Sequence, residues 1–257
     1  MISIKNDAQI EKMRAAGRLL YSVLTELRGY VKPGVTTMHL NKIAHRMITD
    51  AGATPSFLGY DGFPASLCTS VNEVVVHGIP NDVPLVEGCI LGLDCGLVLD
   101  GWQADSAYTI GVGNISPEAK RLIDVTEECF WKGVSQMKTG HRLSDIGSSV
   151  QAWAESNGYQ VIRALCGHGI GREMHEDPEV PNFGKPGHGP RLAPGMTLAI
   201  EPMISAGGYD VISDGWHVAT KDGGWVSHYE HTVLITYGEP EILTLPAALA
   251  HTAEAGR

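Results

Sequence analysis

Apolar residues recur every three or four positions in the first stretch of the chain and then give way to near-continuous runs, and the second half repeats this helix-helix-strand-strand order. Asn6 followed three residues later by Gln9 resembles a capping box. Ile10, Met13, Leu20, Leu24 and Leu27 then share one face, which predicts a helix from about residue 7 to about residue 29. After the Pro33-Gly34 turn, Leu40, Ile43, Met47 and Ile48 mark a second helix that Gly52 ends. Ser116-Pro117 opens a third through Leu122, Ile123 and Phe130, and Ile146, Val150 and Trp153 mark a fourth ahead of Gly158.

The two halves superpose by counting. Lys32-Pro33-Gly34 falls on Lys138-Thr139-Gly140, Leu40 on Ile146 and Gly52 on Gly158 at one shift of 106. Gly88-Cys89-Ile90-Leu91-Gly92-Leu93-Asp94 falls on Gly195-Met196-Thr197-Leu198-Ala199-Ile200-Glu201 at a shift of 107, so each half has a turn glycine, an apolar strand and a terminal acid. This self-similarity predicts an internal duplication. Its halves are about 7-112 and 113-245, within one domain spanning 1-257, since no linker or low-complexity stretch divides the chain. The Ala-rich tail after Leu245 is expected to fray.

Each half continues from its acid into a second strand that carries another, Asp105 in one and Glu230 in the other. Asp100-Gly101 is a hairpin signal, and an even-length loop centred there pairs residues whose numbers sum to 201. Residue 96 then lies opposite Asp105, and Asp94 is its diagonal neighbour on the same face. An odd-length loop would turn Asp105 to the other face. Between Glu201 and Glu230, Asp214-Gly215 and Asp222-Gly223-Gly224 signal a longer hairpin of open register.

Two acids on a hairpin ordinarily make a solvated face. Asp94, Glu201 and Glu230, however, abut apolar runs that belong in the interior, where a carboxylate needs a counter-charge. Cys166-Gly167-His168-Gly169-Ile170-Gly171-Arg172 adds an imidazole between glycines, where backbone can approach a ligand closely. Asp94, Asp105, His168, Glu201 and Glu230 together make a ligand set for two divalent metal ions. Two such ions contribute four positive charges, the carboxylates four negative ones, and a neutral imidazole leaves room for a bridging hydroxide; without metal the acids would repel one another. Oxygen donors with one imidazole suit Mn, Fe, Co or Zn. His77, after Val74-Val75-Val76, and His175, before Glu176-Asp177-Pro178, are further candidates that are equally readable as structural histidines.

The formal net charge of -10, from 19 Lys+Arg against 29 Asp+Glu, argues against a nucleic-acid substrate. The five cysteines, Cys68, Cys89, Cys95, Cys129 and Cys166, are scattered without a CxxC pair, which argues against a disulfide framework and points to a reducing, cytoplasmic setting. Lys5, Asp7, Glu11, Lys12, Arg14 and Arg18 interrupt any apolar segment at the start, and no run approaches the roughly eighteen apolar residues of a membrane span.

Lys12-Met13-Arg14, Leu58-Gly59-Tyr60, Val76-His77-Gly78-Ile79-Pro80, Gly167-His168-Gly169-Ile170-Gly171-Arg172, Ile200-Glu201-Pro202-Met203 and Tyr229-Glu230-His231-Thr232 resemble the motifs of type I methionine aminopeptidases from about residue 3 to Leu245. The resemblance implies the pita-bread fold, an α/β (α+β) internal duplication whose curved antiparallel sheet carries helices on its outer face. The chain is similar to the short bacterial form. Only 26 positions separate His175 from Glu201, leaving no room for the helical insertion of type II enzymes, and an N-terminal zinc-binding extension is absent.

Carried over by motif, the resemblance implies that Asp105 and Glu230 bridge both metals, that Asp94 chelates the second, and that His168 and Glu201 complete the first. A metal-bridged hydroxide would attack the first peptide carbonyl, with Glu201 as proton shuttle. His175 would hydrogen-bond the carbonyl oxygen and His77 the scissile amide or the next backbone group. His168 alone breaks the symmetry of the two halves, which makes the metals inequivalent and favours Glu201 over Asp94 as the shuttle. The methionine pocket maps to Phe57, Tyr60, Phe63, Cys68, Met174 and Trp216, residues that composition alone would assign to plain core.

Several positions depart from the common pattern: Phe57 stands for Cys, Phe63 for Tyr, Met174 for Phe, Gln103-Ala104 for His-Gly and Asp61 for His. They bear on rate, pocket shape and second-residue preference. The implied substrate is the N-terminal methionine of nascent polypeptides with a small second residue, met near the ribosome by a monomer that needs neither nucleic acid nor membrane. An Xaa-Pro peptidase of the same fold is one alternative, opposed by the shortness of the chain. A metal-free binding protein is another, opposed by the complete ligand set.

Overall fold

The side chain of Asn6 accepts the Gln9 amide at 3.0 Å while the side chain of Gln9 accepts the Asn6 amide at 3.0 Å, so the capping box forms as its spacing predicts. The computed structural model describes residues 1–246, and the tail expected to fray lies, from 247 onward, outside the described residues. Helix α1 spans Asp7–Arg28 and buries Ile10, Met13, Leu20, Leu24 and Leu27 along one stripe. Helices α2 (Thr37–Asp50), α3 (Pro117–Val134) and α4 (Leu143–Ser156) follow, with Thr36 and Ser116 capping α2 and α3.

The counted repeat has a conformational counterpart. α2 and α4 are both 14 residues long, and their first and last positions differ by the same 106. Gly34 and Gly140, at φ 87° and 90°, turn the chain ahead of them, and Gly52 and Gly158, at φ 76° and 84°, release it afterwards. Only glycine adopts such angles without cost, so the turn residues recur where the sequence repeats.

The main sheet has nine strands, every adjacent pair antiparallel. Its central order is Thr54–Pro55, Ile90–Leu99, Trp102–Gly111, Glu230–Leu234, Thr197–Ile200, Gly167–Gly169 and Glu176–Val180. Cys68–Val71 also pairs with Ile90–Leu99, and Glu241–Ile242 with Glu230–Leu234. Asp100 and Gly101, at φ 50° and 77°, form the two-residue turn of the first hairpin, whose register places Gly96 opposite Asp105 and Asp94 opposite Ala107. In the second half, His231 pairs with Ile200 and Glu230 with Ala107, so the two halves join at the middle of the sheet.

Apolar clusters cement the helices to one face. Leu20, Leu24 and Leu27 of α1 and Leu40 and Ile48 of α2 pack with Leu91, Leu93 and Leu97. Phe130 of α3 and Ile146 of α4 pack with Leu198, Ile200 and Val233. The other face of the joined strands carries the acids.

Candidate metal centre

Ladder register brings the expected ligands together. Asp94, Ala107 and Glu230 lie in one row across three strands, and His168 pairs with Ala199, which pairs with Thr232 in the next row. Directly opposed residues share a sheet face, so the ligands converge and small residues such as Ala107 and Ala199 leave space among them. The glycines around His168 follow from the same crowding: a Cβ on Gly167 would collide with the Ala199 carbonyl, and one on Gly169 with the Asp177 carbonyl.

Asp105, His168 and Glu230 are buried. His168 Nε2 lies 3.8 Å from Asp105 Oδ2 and 3.7 Å from Glu201 Oε1. Its Nδ1 is 2.9 Å from the Gly169 carbonyl oxygen, a partner that keeps the proton on Nδ1 and turns the Nε2 lone pair toward the acids. Asn182 Nδ2 donates to the Glu201 carbonyl at 2.9 Å, and Thr232 Oγ1 accepts from the Asp105 amide at 3.1 Å and donates to its carbonyl at 2.9 Å, fixing two ligand backbones.

Burial pushes the Asp94 carboxyl up to about 7, against a hydrogen bond from Asp105 that pulls it down. It pushes Asp105, Glu201 and Glu230 well above the usual carboxylate range, with repulsion among the four acids adding to the effect. Burial also holds the imidazoles low, His168 and His77 to about 4 and His228 to about 3. Four acids that resist ionisation beside neutral imidazoles are what metal ligands become when no cation is near.

The fit to divalent ions rests on orphaned atoms. Asp94 Oδ1, Asp105 Oδ1, Glu230 Oε1 and His228 Nε2 are buried without a hydrogen-bond partner. Such atoms are costly to leave unmet, and bound cations would satisfy them together. Two donor triples, Asp105-His168-Glu230 and Asp94-His228-Glu230, each fall within 4.8 Å.

A cavity of about 350 Å³ opens onto these acids and is lined by Phe57, Tyr60, Phe63, Cys68 and Trp216 on its apolar side and by His77 and His175 near the ligands. Phe63 stands edge-on to Trp216 at 5.3 Å and to Phe57 at 6.5 Å. His175 lies 4.3 Å from the His168 ring, centre to centre. His77, at φ 58°, and Asp61, at φ 45°, hold left-handed backbone at the cavity wall, where strain of this kind tends to collect at working sites. Met174 clusters with Ile10, Met13, Trp102 and Ile170 behind Phe57, which borders both that cluster and the cavity. Both environments are apolar, so side-chain chemistry alone does not separate them.

His228 was not among the residues singled out from sequence, nor were Ala164 and Leu165 of the cavity lining. Alternation was the available signal for His228, since residues two apart on an extended strand share a face.

The model of metallopeptidase family M24 matches residues 11–237. The chain belongs to this family. Within the family it is 53% identical to a methionine aminopeptidase of Clostridium perfringens over 247 residues, 95% of this chain and 99% of that one. The crystal structure of methionine aminopeptidase from Rickettsia prowazekii superposes with a TM-score of 0.94 at 45% identity, covering 95% of this chain and 100% of that one. An Xaa-Pro dipeptidase from Bacillus anthracis shares the family fold at a TM-score of 0.76 and 21% identity, covering 95% of this chain and 62% of that one, a likeness of fold alone. The pita-bread architecture and its metallopeptidase class are therefore those of this chain.

Proposed function

We propose that this metallopeptidase removes the N-terminal methionine from new polypeptides whose second residue is small, using two divalent ions drawn from Mn, Fe, Co and Zn. The observation that carries the reading is the juxtaposition of buried, partnerless ligand atoms on Asp94, Asp105 and Glu230 with an apolar cavity walled by Phe57, Phe63, Cys68 and Trp216. Asp94, Asp105, His168, Glu201 and Glu230 hold the ions, and both halves of the chain contribute, which favours one catalytic domain. Bound ions supply Lewis acidity, polarising the scissile carbonyl and easing deprotonation of water near neutral pH. Glu201 takes the proton released by that water and delivers it to the leaving nitrogen. His175 donates to the carbonyl oxygen as negative charge gathers there, and His77 holds the amide or the next backbone group.

The apolar wall receives the thioether side chain and excludes water from it. Among the described residues no helix is long and apolar enough to cross a membrane. In this reading the work is done in the cytoplasm, near the ribosome, by a monomer, since new polypeptides with their first methionine are found there. The test compares Met-Ala-Ser, Met-Lys-Ser and Ala-Pro-Ser with metal-stripped protein to which Co²⁺, Mn²⁺ or Fe²⁺ is returned. Metal-dependent release from the first alone is expected; cleavage of only the proline peptide, or of none, overturns the reading.

A further inference from the structure

His228 ends the strand Val226–His228, two residues ahead of Glu230. Alternation puts it on the ligand face with Glu230, while Tyr229 and His231 turn to the helix side, where they line a separate cavity with Tyr21 and Arg28 of α1 and Glu127 and Trp131 of α3. Its backbone is clamped twice by Thr109, whose Oγ1 accepts the His228 amide at 2.9 Å and donates to its carbonyl at 3.0 Å. The ring is therefore set by the sheet rather than left to find a partner.

Its Nε2 lies 3.6 Å from Glu230 Oε2 and 3.9 Å from Glu201 Oε2. Both distances exceed a hydrogen bond. They match the spacing of two donor atoms on one ion with bonds of about 2.0–2.2 Å at wide angles. The same holds for His168 on the other side of Glu201, at 3.7 Å from Oε1, so the two imidazoles flank one carboxylate. The His228 Nε2 atom is buried and partnerless, and the two donor triples of the centre share only Glu230.

We infer that His228 is a metal ligand, so that each of the two cation positions carries one imidazole: His168 with Asp105, and His228 with Asp94, Glu230 standing between them. The inference rests on the metallopeptidase reading of this site and adds a donor to its second position. It replaces the expectation that His168 alone breaks the symmetry of the halves. An imidazole in place of a water or carbonyl donor favours Co²⁺ and Zn²⁺ over Mn²⁺ at that position and brings the two affinities closer together.

The test is proton NMR of the unaltered protein, stripped of metal and reloaded with two equivalents of Co²⁺. Hyperfine-shifted imidazole protons from two histidines are expected, and one set persists in His228→Gln. Calorimetric titration of His228→Gln and His228→Ala is expected to show one binding step weakened by about 10–100-fold and the other within about threefold of the parent. His168→Gln is expected to weaken the opposite step. A single shifted histidine in the unaltered protein overturns the inference, as does an unchanged second step in variants that melt cooperatively. Methionine release by a protein with a single shifted histidine leaves the aminopeptidase reading standing while removing this one. Failure to take up any Co²⁺ removes both.

Discussion

The Tyr60 hydroxyl and His175 Nδ1 meet at 2.6 Å, with their rings 5.2 Å apart, joining the Tyr60–Gly62 turn to the residue that precedes the Glu176–Val180 strand. Burial lowers the imidazole pKa, against a pull from Asp61, and burial raises that of the phenol. A protonated phenol beside a neutral imidazole donates to Nδ1, which leaves the ring proton on Nε2. That is the tautomer able to donate to a substrate carbonyl. Tyr60→Phe is therefore expected to lower kcat on Met-Ala-Ser by about tenfold while leaving metal uptake unchanged, and His175→Ala by about 10²-fold. Steady-state kinetics with parallel metal analysis checks both, and an unaltered kcat in either variant removes the role assigned.

Metal-free protein is expected to lose stability as pH rises. The four acids, with Asp94 near 7 and the others well above the usual range, hold protons in the folded state that they release at about 4 when unfolded. The folded state thus binds more protons, so this stability is complete below about pH 4 and is lost as pH rises through the folded values. The depressed histidines act oppositely, since theirs is lost as pH falls below about 6.5. Above about pH 7 the histidines no longer contribute, while the acids and the cysteines, whose thiols burial also pushes up, both favour the protonated folded state, so between about pH 7 and 9 the Tm of metal-free protein should fall. Saturating Co²⁺ should remove the acids' share of the fall, and Glu230→Gln should reduce it; a flat metal-free profile over that range contradicts the account.

Local chemistry made much of this legible in advance. Asp100-Gly101 can hardly be other than a tight turn, and its even loop places Gly96 against Asp105. The capping box and the repeated turn glycines mark the helices in the same way, because each needs only neighbours within a few positions. The register of the second hairpin was not readable: its Val211–Asp214 strand pairs with His217–Thr220, and the latter also pairs with Val74–Val76, a partner remote in sequence. His228 lies beyond a break in strand pairing at Tyr229, and whether alternation carries across such a break depends on what clamps the backbone, here Thr109 from the other half. Met174 and Phe57 show why pocket and core are hard to tell apart in advance, since a cavity wall and the core behind it demand the same apolar surface.

Lys5 Nζ donates to Glu176 Oε2 at 2.7 Å with only 2% of its side chain exposed, and Glu176 Oε1 accepts the Arg172 amide at 2.9 Å. Burial lowers the Lys5 pKa and the carboxylate opposes it. Since Glu176 adjoins His175, the pair anchors the segment that presents that imidazole. Lys5→Met strands a mostly buried carboxylate, a loss of about 3 kcal/mol or about 6–12 °C in Tm. Calorimetry of Lys5→Met beside Lys5→Met/Glu176→Gln separates lost charge pairing from lost packing; the double variant is expected to recover part of the loss.

Gly96 lies on the ligand face of the sheet because it opposes Asp105, and a Cβ there would lie 2.7 Å from Met174 Cε, 3.0 Å from Phe57 Cε1 and 3.1 Å from Ser56 Cβ. Met174 can bend only part of the way, so the Phe57 ring, edge-on to Phe63, has to shift as well. Overpacking of this kind costs about 1–3 kcal/mol, and moving the Phe57 ring inward relieves it at the expense of the space for a methionine side chain. Gly96→Ala should therefore raise KM for Met-Ala-Ser by about tenfold with a much smaller change in kcat, because the ligands and His175 stay in place. Met174→Ala in the same background opens room behind Phe57 and should bring KM most of the way back. Equal loss of kcat in Gly96→Ala, or no rescue by the second substitution, would place Phe57 outside the side-chain pocket.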